Sequence, residues 1–280
     1  MDNVYADRSE RGKLKLTGPQ RAWFLHQILT QSFEDIQAGE ARDTALITAH
    51  GRMVAYMEVY ATDEALLLHY EPELIATLPE ALSRYVFATQ VEITDVTDDF
   101  GLLLIVDPKW AELATDLGPG VVAHRTLSLG APAGYLWVQR DRVDDLLADV
   151  RQRGLVEASE DELEKLRVER GMARWGRDMT AKTLPPEAGL DEVAVHYDKG
   201  CYVGQEAMAK IRFRGKVNRK LRRLQGDSPL EVGAEIKLDD AKVGIVTSAA
   251  GNTALAPVRY TVEPGTRVLA DGVSATVVEL

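Results

Sequence analysis

Hydrophobic periodicity changes along the chain in a way that separates three kinds of segment. From Ala41 to His69 the apolar positions form strand-length runs, Thr44 to Thr48, Met53 to Ala61 and Ala65 to Tyr70. The turns His50-Gly51-Arg52 and Thr62-Asp63-Glu64 separate them, as antiparallel hairpins require. Ahead of this block, Lys13 to Leu16 reads as a short strand. Thr17-Gly18-Pro19 then opens a helix, with Thr17 as its cap and Ala22, Trp23, Leu25, Ile28 and Leu29 recurring at helical spacing. Behind it, Pro72 opens a helix to about Tyr85, and Val91 to Val96 is another strand.

The middle of the chain alternates. Leu102 to Val106 and Tyr135 to Val138 are apolar strands, and Val143 to Gly154 is an amphipathic helix closed by Gly154. Ser159-Glu160-Asp161-Glu162 is a capping box for a helix that runs through Arg167. Leu184 to Asp191 is a loop without period. After Val217 the pattern becomes short strands broken by glycine: Leu221 to Leu224, Ala234 to Leu238, Val243 to Ser248, Thr253 to Val258, Arg267 to Ala270 and Val273 to Val278. Short strands with Gly and Pro turns predict a small β-barrel or sandwich. The class is therefore α+β. A body over 1–215 is expected, open to division into two interleaved modules with one near 41–97, followed by a C-terminal barrel over 216–280.

Composition adds a solubility class and a charge anomaly. The 280 residues are 45% hydrophobic and 28% charged, ordinary for a soluble protein. No apolar run approaches a membrane span, and Met1 to Lys13 lacks the apolar stretch of a signal peptide, so a soluble, cytoplasmic protein without a membrane partner is expected. The net charge is −11, against general nucleic-acid binding. Yet Lys199 to Arg223 holds nine Lys or Arg against one acid, Glu206, which points that segment at an anionic partner.

The basic segment begins with Lys199-Gly200-Cys201-Tyr202-Val203-Gly204-Gln205-Glu206, which contains the only cysteine. A single cysteine excludes an intramolecular disulfide and a metal centre with four cysteine ligands from this chain. The two glycines permit unusual backbone angles and close approach, and good helix formers follow, placing Cys201 at or just before a helix start beside a lysine. Such surroundings favour a reactive thiolate, against the alternative of a buried inert thiol. The histidines at 26, 50, 69, 124 and 196 show no helix-borne metal pair, so no metal site is expected; His196 is the histidine closest to Cys201 in sequence.

The octapeptide, with Arg212-Phe213-Arg214-Gly215 after it, resembles the signature of the YgfZ family, folate-binding proteins related in fold to the glycine-cleavage T-protein, the aminomethyltransferase. Gly51-Arg52, Arg167-Val168-Glu169-Arg170-Gly171 and the Leu184-to-Asp191 loop also resemble segments of that superfamily. The likeness spans most of the chain and is sharp from about Arg167 to Arg219. It implies a T-protein-like body of antiparallel sheets and helices around a central cavity, and tetrahydrofolate as cofactor. Glu169 would hold the pterin, since a carboxylate can accept two N–H bonds from an aminopyrimidine edge. Asp99 would approach the reacting nitrogen. Lys199, Arg212 and Arg214 would draw the anionic glutamate tail, with Tyr202 and Gln205 completing the binding set and Cys201 as the catalytic thiol. The family supports iron–sulfur enzymes, including one that modifies tRNA, so iron–sulfur proteins or their assembly machinery are the implied partners.

Two other functions stay open on the sequence. One is a true aminomethyltransferase, which moves a one-carbon unit from a carrier-bound aminomethyl group to tetrahydrofolate; against it, that family lacks the cysteine and the Gln-Glu ending at this place. The other is an RNA- or partner-binding module that uses the basic segment without catalysis, for which only Tyr202 and Phe213 offer interleaved aromatic rings. The thiol's chemistry also stays open between transient iron or cluster ligation, a redox or repair step and capture of a one-carbon unit.

Overall fold

A computed structural model describes residues 1–118, 120–215 and 217–280, with the side chain of Arg214 outside the description. β1 (Val4–Asp7) precedes β2 (Gly12–Thr17) and α1 (Arg21–Ile28). The predicted hairpins follow as β3 (Ala41–Ile47), β4 (Met53–Ala61) and β5 (Leu66–Tyr70), then α2 (Leu78–Ser83) and β6 (Glu92–Asp95). These make a five-stranded antiparallel sheet in the order β3-β4-β5-β2-β6. Two local expectations change. The helix from Pro72 breaks into a 3-10 turn, Pro72–Leu74, and α2, because Pro79 has no N–H to continue a helix and fits only a first turn. Thr17 does not cap α1, which starts after Gln20; the turn at Gly18, φ +99°, intervenes, and Trp23 stays 47% exposed.

A second sheet combines β1 with β7 (Phe100–Val106), β8 (Val122–Thr126), β9 (Ala133–Gln139) and the two-residue β10 (Val156–Glu157). Its order is β10-β1-β7-β9-β8, antiparallel except for the β1–β10 pair. α3 (Trp110–Asp116) and α4 (Val143–Gln152) cover one face, packing Leu146 and Val150 onto Leu103, Ile105 and Leu136. α5 (Glu160–Glu169) closes the other face, its first turn fixed by the predicted capping box between Ser159 and Glu162. α6 (Gln205–Arg214) follows the cysteine motif.

The last strands are β11 (Arg219–Gly226), β12 (Glu235–Leu238), β13 (Ala241–Ile245), β14 (Ser248–Ala250), β15 (Thr253–Arg259), β16 (Arg267–Ala270) and β17 (Val273–Val278). They form one antiparallel sheet, β13-β12-β16-β17-β11-β15-β14. The stretch predicted as a single strand, Val243 to Ser248, is split. β13 and β14 occupy opposite edges although only Val246 and Thr247 join them, so the sheet must curl until its edges approach. Its inner face packs Leu224, Ile236, Val258 and Val277. The result is a curled half-barrel; among the described residues no strand ladder closes it.

A buried ion pair fastens this half-barrel to the body. Arg167 on α5 donates to Asp178 Oδ2 at 2.7 Å and to Ser248 Oγ at 2.6 Å. Asp178 Oδ1 accepts from the Thr247 and Ser248 hydroxyls at 2.6 and 2.8 Å. Both charged side chains are at most 3% exposed; they are tolerated because each is fully partnered, Arg167 by Asp178, Glu164 and Ser248, and Asp178 by Arg167 and the two hydroxyls. Asp178→Ala should destabilise the protein by ~2–4 kcal/mol, because Arg167, Thr247 and Ser248 all lose that acceptor while Glu164 still pairs with Arg167. Thr247→Val, which removes one hydroxyl, should cost about 1 kcal/mol. Urea unfolding of the two variants reads the difference; equal losses would mean the pair does not hold the sheet.

Candidate functional site

The first two sheets, α5 and the loops after it line a cavity of about 350 Å³, to which the half-barrel segment adds Leu280, beyond β17. Its apolar wall comes from Leu104 on β7, Leu163 on α5, and Leu129, Met172, Met179 and Leu190 from the connecting loops; Tyr56, Tyr135 and Trp175 present rings. The wall is also heavily charged. Arg8, Arg11, Arg167, Arg170 and Arg174 line it, together with Glu58, Glu71, Glu160 and Glu164. Sequence patterning did not single out most of these, because they are scattered over loops, element ends and the polar helix α5. A signal was present for Glu58: it interrupts the strand MVAYMEVYA, and hairpin register sets it directly opposite His69.

Most of the charges neutralise one another. Arg174 pairs with Glu71 at 3.2 Å, Glu160 at 2.5 Å and Glu164 at 3.7 Å. Arg11 binds the other oxygen of Glu71, and Arg8 reaches Glu160 at 2.6 Å. Burial opposes ionisation of Glu71 and, less, of the half-exposed Glu160, yet these guanidinium groups hold both carboxyls below the usual range.

Glu58 is different. It is 3% exposed, its Oε1 has no hydrogen-bond partner, and burial, with Asp43 adding repulsion, pushes its pKa up to about 8. His69 and His124 sit beside it, and one ligating atom from each of the three lies within 4.8 Å of the others. That spacing would suit a metal ion, but the proton placement opposes it. His124 Nδ1 lies 3.0 Å from the Arg125 carbonyl oxygen, which assigns its proton to Nδ1. His69 Nδ1 instead accepts the Arg11 Nε–H at 3.1 Å, so the neutral ring carries its proton on Nε2, the atom a metal would need. Burial keeps both imidazoles uncharged, His124 down at about 4 and His69 well below its ordinary value.

The cysteine motif lies outside the cavity lining. Lys199 is buried and its Nζ donates to the carbonyls of His26, Leu29 and Gln31 at 2.5, 2.6 and 2.8 Å, so it ties the motif to the C-terminal end of α1. Its ammonium stands 4.7 Å from the ring centre of Tyr202, itself buried in the core. Burial lowers the Lys199 pKa to about 7. Between these anchors Cys201 is exposed. Gly204 starts α6 with φ +82°, and a Cβ there would stand 2.4 Å from the Thr48 carbonyl oxygen, so only glycine fits. Gly51, at the β3–β4 turn, similarly packs on α6, 3.2 Å from Ala207 Cβ when given a Cβ. The two glycine-bearing turns singled out in the sequence thus touch the same helix.

The remaining expected residues are dispersed. Glu169 is exposed at the end of α5, 3.9 Å from Lys165, in a separate groove with Asn252 and Thr253. Asp99 lies in another surface groove with Asp98 and Arg140. Gln205 donates to the Lys199 carbonyl at 3.2 Å. Arg212 pairs with Asp198 at 3.5 Å and stacks on Tyr197, and the Arg214 side chain lies outside the described residues. Lys210, Arg219, Arg222 and Arg223 also have protein partners, so much of the basic segment is engaged internally.

No family model matches the chain. It is 28% identical over 276 residues to a chloroplastic protein of Arabidopsis thaliana provisionally named a transferase, covering 89% of this chain and 62% of that one. It is 25% identical over 265 residues to an aminomethyltransferase of Rubrobacter xylanophilus, covering 86% and 70%, and 26% over 299 residues to that of Saccharopolyspora erythraea, covering 95% and 81%. The glycine-cleavage aminomethyltransferase T of Bartonella henselae superposes with a TM-score of 0.89 over 99% of this chain and 85% of its own, at 17% identity. The chain has the aminomethyltransferase fold. The expected T-protein-like architecture is therefore present, while the chain spans less than two thirds of the chloroplastic relative. Among the described residues no helix is long and apolar enough to cross a membrane.

The Glu58 environment predicts a pH signature in this fold. Its folded pKa lies above the ordinary carboxyl value, so the folded state binds the proton more tightly, and its contribution to stability is lost as pH rises through about 8. Relative to Glu58→Gln, the wild type should lose up to ~2 kcal/mol between pH 6 and pH 8. Denaturant titrations of both proteins at the two pH values check this; a constant difference would mean the carboxyl is not protonated in the cavity wall.

Proposed function

We propose that this protein binds tetrahydrofolate in its central cavity and acts as a YgfZ-type accessory factor for iron–sulfur enzymes, with Cys201 as its reactive thiol. The observation that carries the reading is the 350 Å³ cavity between the first two sheets and α5 in an aminomethyltransferase fold. Aminomethyltransferases are folate-dependent, and the cavity suits such a ligand: apolar side chains and aromatic rings for a flat heterocycle, with charged groups between them. The bound cofactor would carry one-carbon units; the chain's own lining residues would hold and orient it and exclude water. The cysteine motif supports the accessory role. Lys199, Tyr202 and Gly204 fix its backbone, leaving Cys201 exposed to a macromolecular partner rather than directed into the cavity lining.

Similarity to named aminomethyltransferases favours a second reading, transfer of a one-carbon unit from a carrier-bound aminomethyl group. Tetrahydrofolate titrated anaerobically into the reduced protein should bind saturably, without turnover of such a carrier. Turnover would favour the second reading, and absence of binding would overturn both. Cys201→Ser should retain tetrahydrofolate affinity within about twofold, because an exposed thiol contributes little to a ligand held elsewhere. It should fail to restore iron–sulfur enzyme activity in cells lacking the protein; full restoration would remove the thiol from the function.

A further inference from the structure

Counting which charges in the cavity wall are already satisfied leaves two. Among the four carboxylates, Glu71, Glu160 and Glu164 are each held by one or more arginines. Among the described residues Glu58 alone of the four keeps an acceptor oxygen without a partner, and it is buried. Among the five guanidinium groups, Arg8, Arg11, Arg167 and Arg174 are paired with carboxylates. Among the described residues Arg170 has no acidic partner; it is exposed, which places it at the mouth. An unpaired acceptor inside and an unpaired cation at the opening describe a ligand with N–H donors at one end and negative charge at the other.

We propose that Glu58 accepts hydrogen bonds from the donor edge of the cavity's ligand and that Arg170 pairs with its anionic tail. The inference rests on the folate reading, since a pterin presents adjacent N–H groups and the glutamyl tail is a carboxylate. It assigns the pterin to Glu58 rather than Glu169, which lines a different groove.

A proton accompanies this recognition. Glu58 faces Asp43, Arg11, His69 and Glu71, with His124 and Tyr135 across from it on the second sheet; in these surroundings it is protonated up to about pH 8. Accepting two N–H bonds favours the ionised form. Binding therefore expels a proton from Glu58, and affinity rises between pH 6 and pH 8. The two buried histidines remain neutral across that interval and contribute no slope.

The experiment is calorimetric titration of tetrahydrofolate and its triglutamate into wild type, Glu58→Gln, Arg170→Ala and Glu169→Ala, at pH 6 and pH 8, with thermal melts confirming that each variant folds. Glu58→Gln should weaken both ligands roughly ten- to hundredfold and abolish the pH dependence. Arg170→Ala should remove the preference for the triglutamate, about three- to tenfold, and keep the pH dependence. Glu169→Ala should bind like wild type. Wild-type binding that Glu58→Gln and Arg170→Ala leave unchanged, or that Glu169→Ala weakens instead, overturns this assignment and leaves the folate reading standing. Failure of wild type to bind either ligand overturns both.

Discussion

Arg174 meets three carboxylates at once, and the cavity depends on that convergence. Glu71 comes from the end of β5 in the first sheet, while Glu160 and Glu164 come from α5, which covers the second. A guanidinium with five donors can serve several acceptors in a fixed geometry, which a point-like ammonium cannot do as well. Each of these carboxylates has a second arginine, Arg11, Arg8 or Arg167, but Arg174 is the cation that joins Glu71 of the first sheet to the two on α5. With it, the sheets can stay apart and still be held together. Arg11 extends the network by bridging Glu71 and His69.

The same logic recurs at the two other joints. Arg167 and Asp178 bind α5 to the edge crossing of the half-barrel, where two residues link β13 to β14. Lys199 gathers three carbonyls at the end of α1 and so fixes the cysteine loop. In each case a buried cation draws together backbone or side-chain acceptors from segments far apart in sequence. The basic segment, which reads as a surface for anions, is thereby partly spent inside the fold. Phe213 remains 94% exposed beside it.

Cavity and cysteine are thus held by different means and lie in different places. The cavity wall is an equilibrium of paired charges with two left over; the cysteine loop is a rigid exposed turn anchored beneath by Lys199 and Tyr202. A ligand inside and a partner outside can be served by one chain because neither set of contacts uses the other's residues.

Local physics made much of this legible. Alternating apolar positions predicted the hairpins of the first sheet, and the Ser159–Glu162 pair predicted the start of α5, since both are decided within a few residues. The octapeptide announced a constrained turn, and Gly204 has the backbone angle that required. What the sequence did not reveal was which charges remain free. Glu71 and Arg174 are 103 positions apart, Arg167 and Ser248 are 81 apart, and pairing between them follows from how the sheets pack. Glu169 and Glu58 look equally able to accept hydrogen bonds when read as residues. Only the tertiary structure turns one to solvent and buries the other with an oxygen unsatisfied, because burial and partnership belong to the packed molecule.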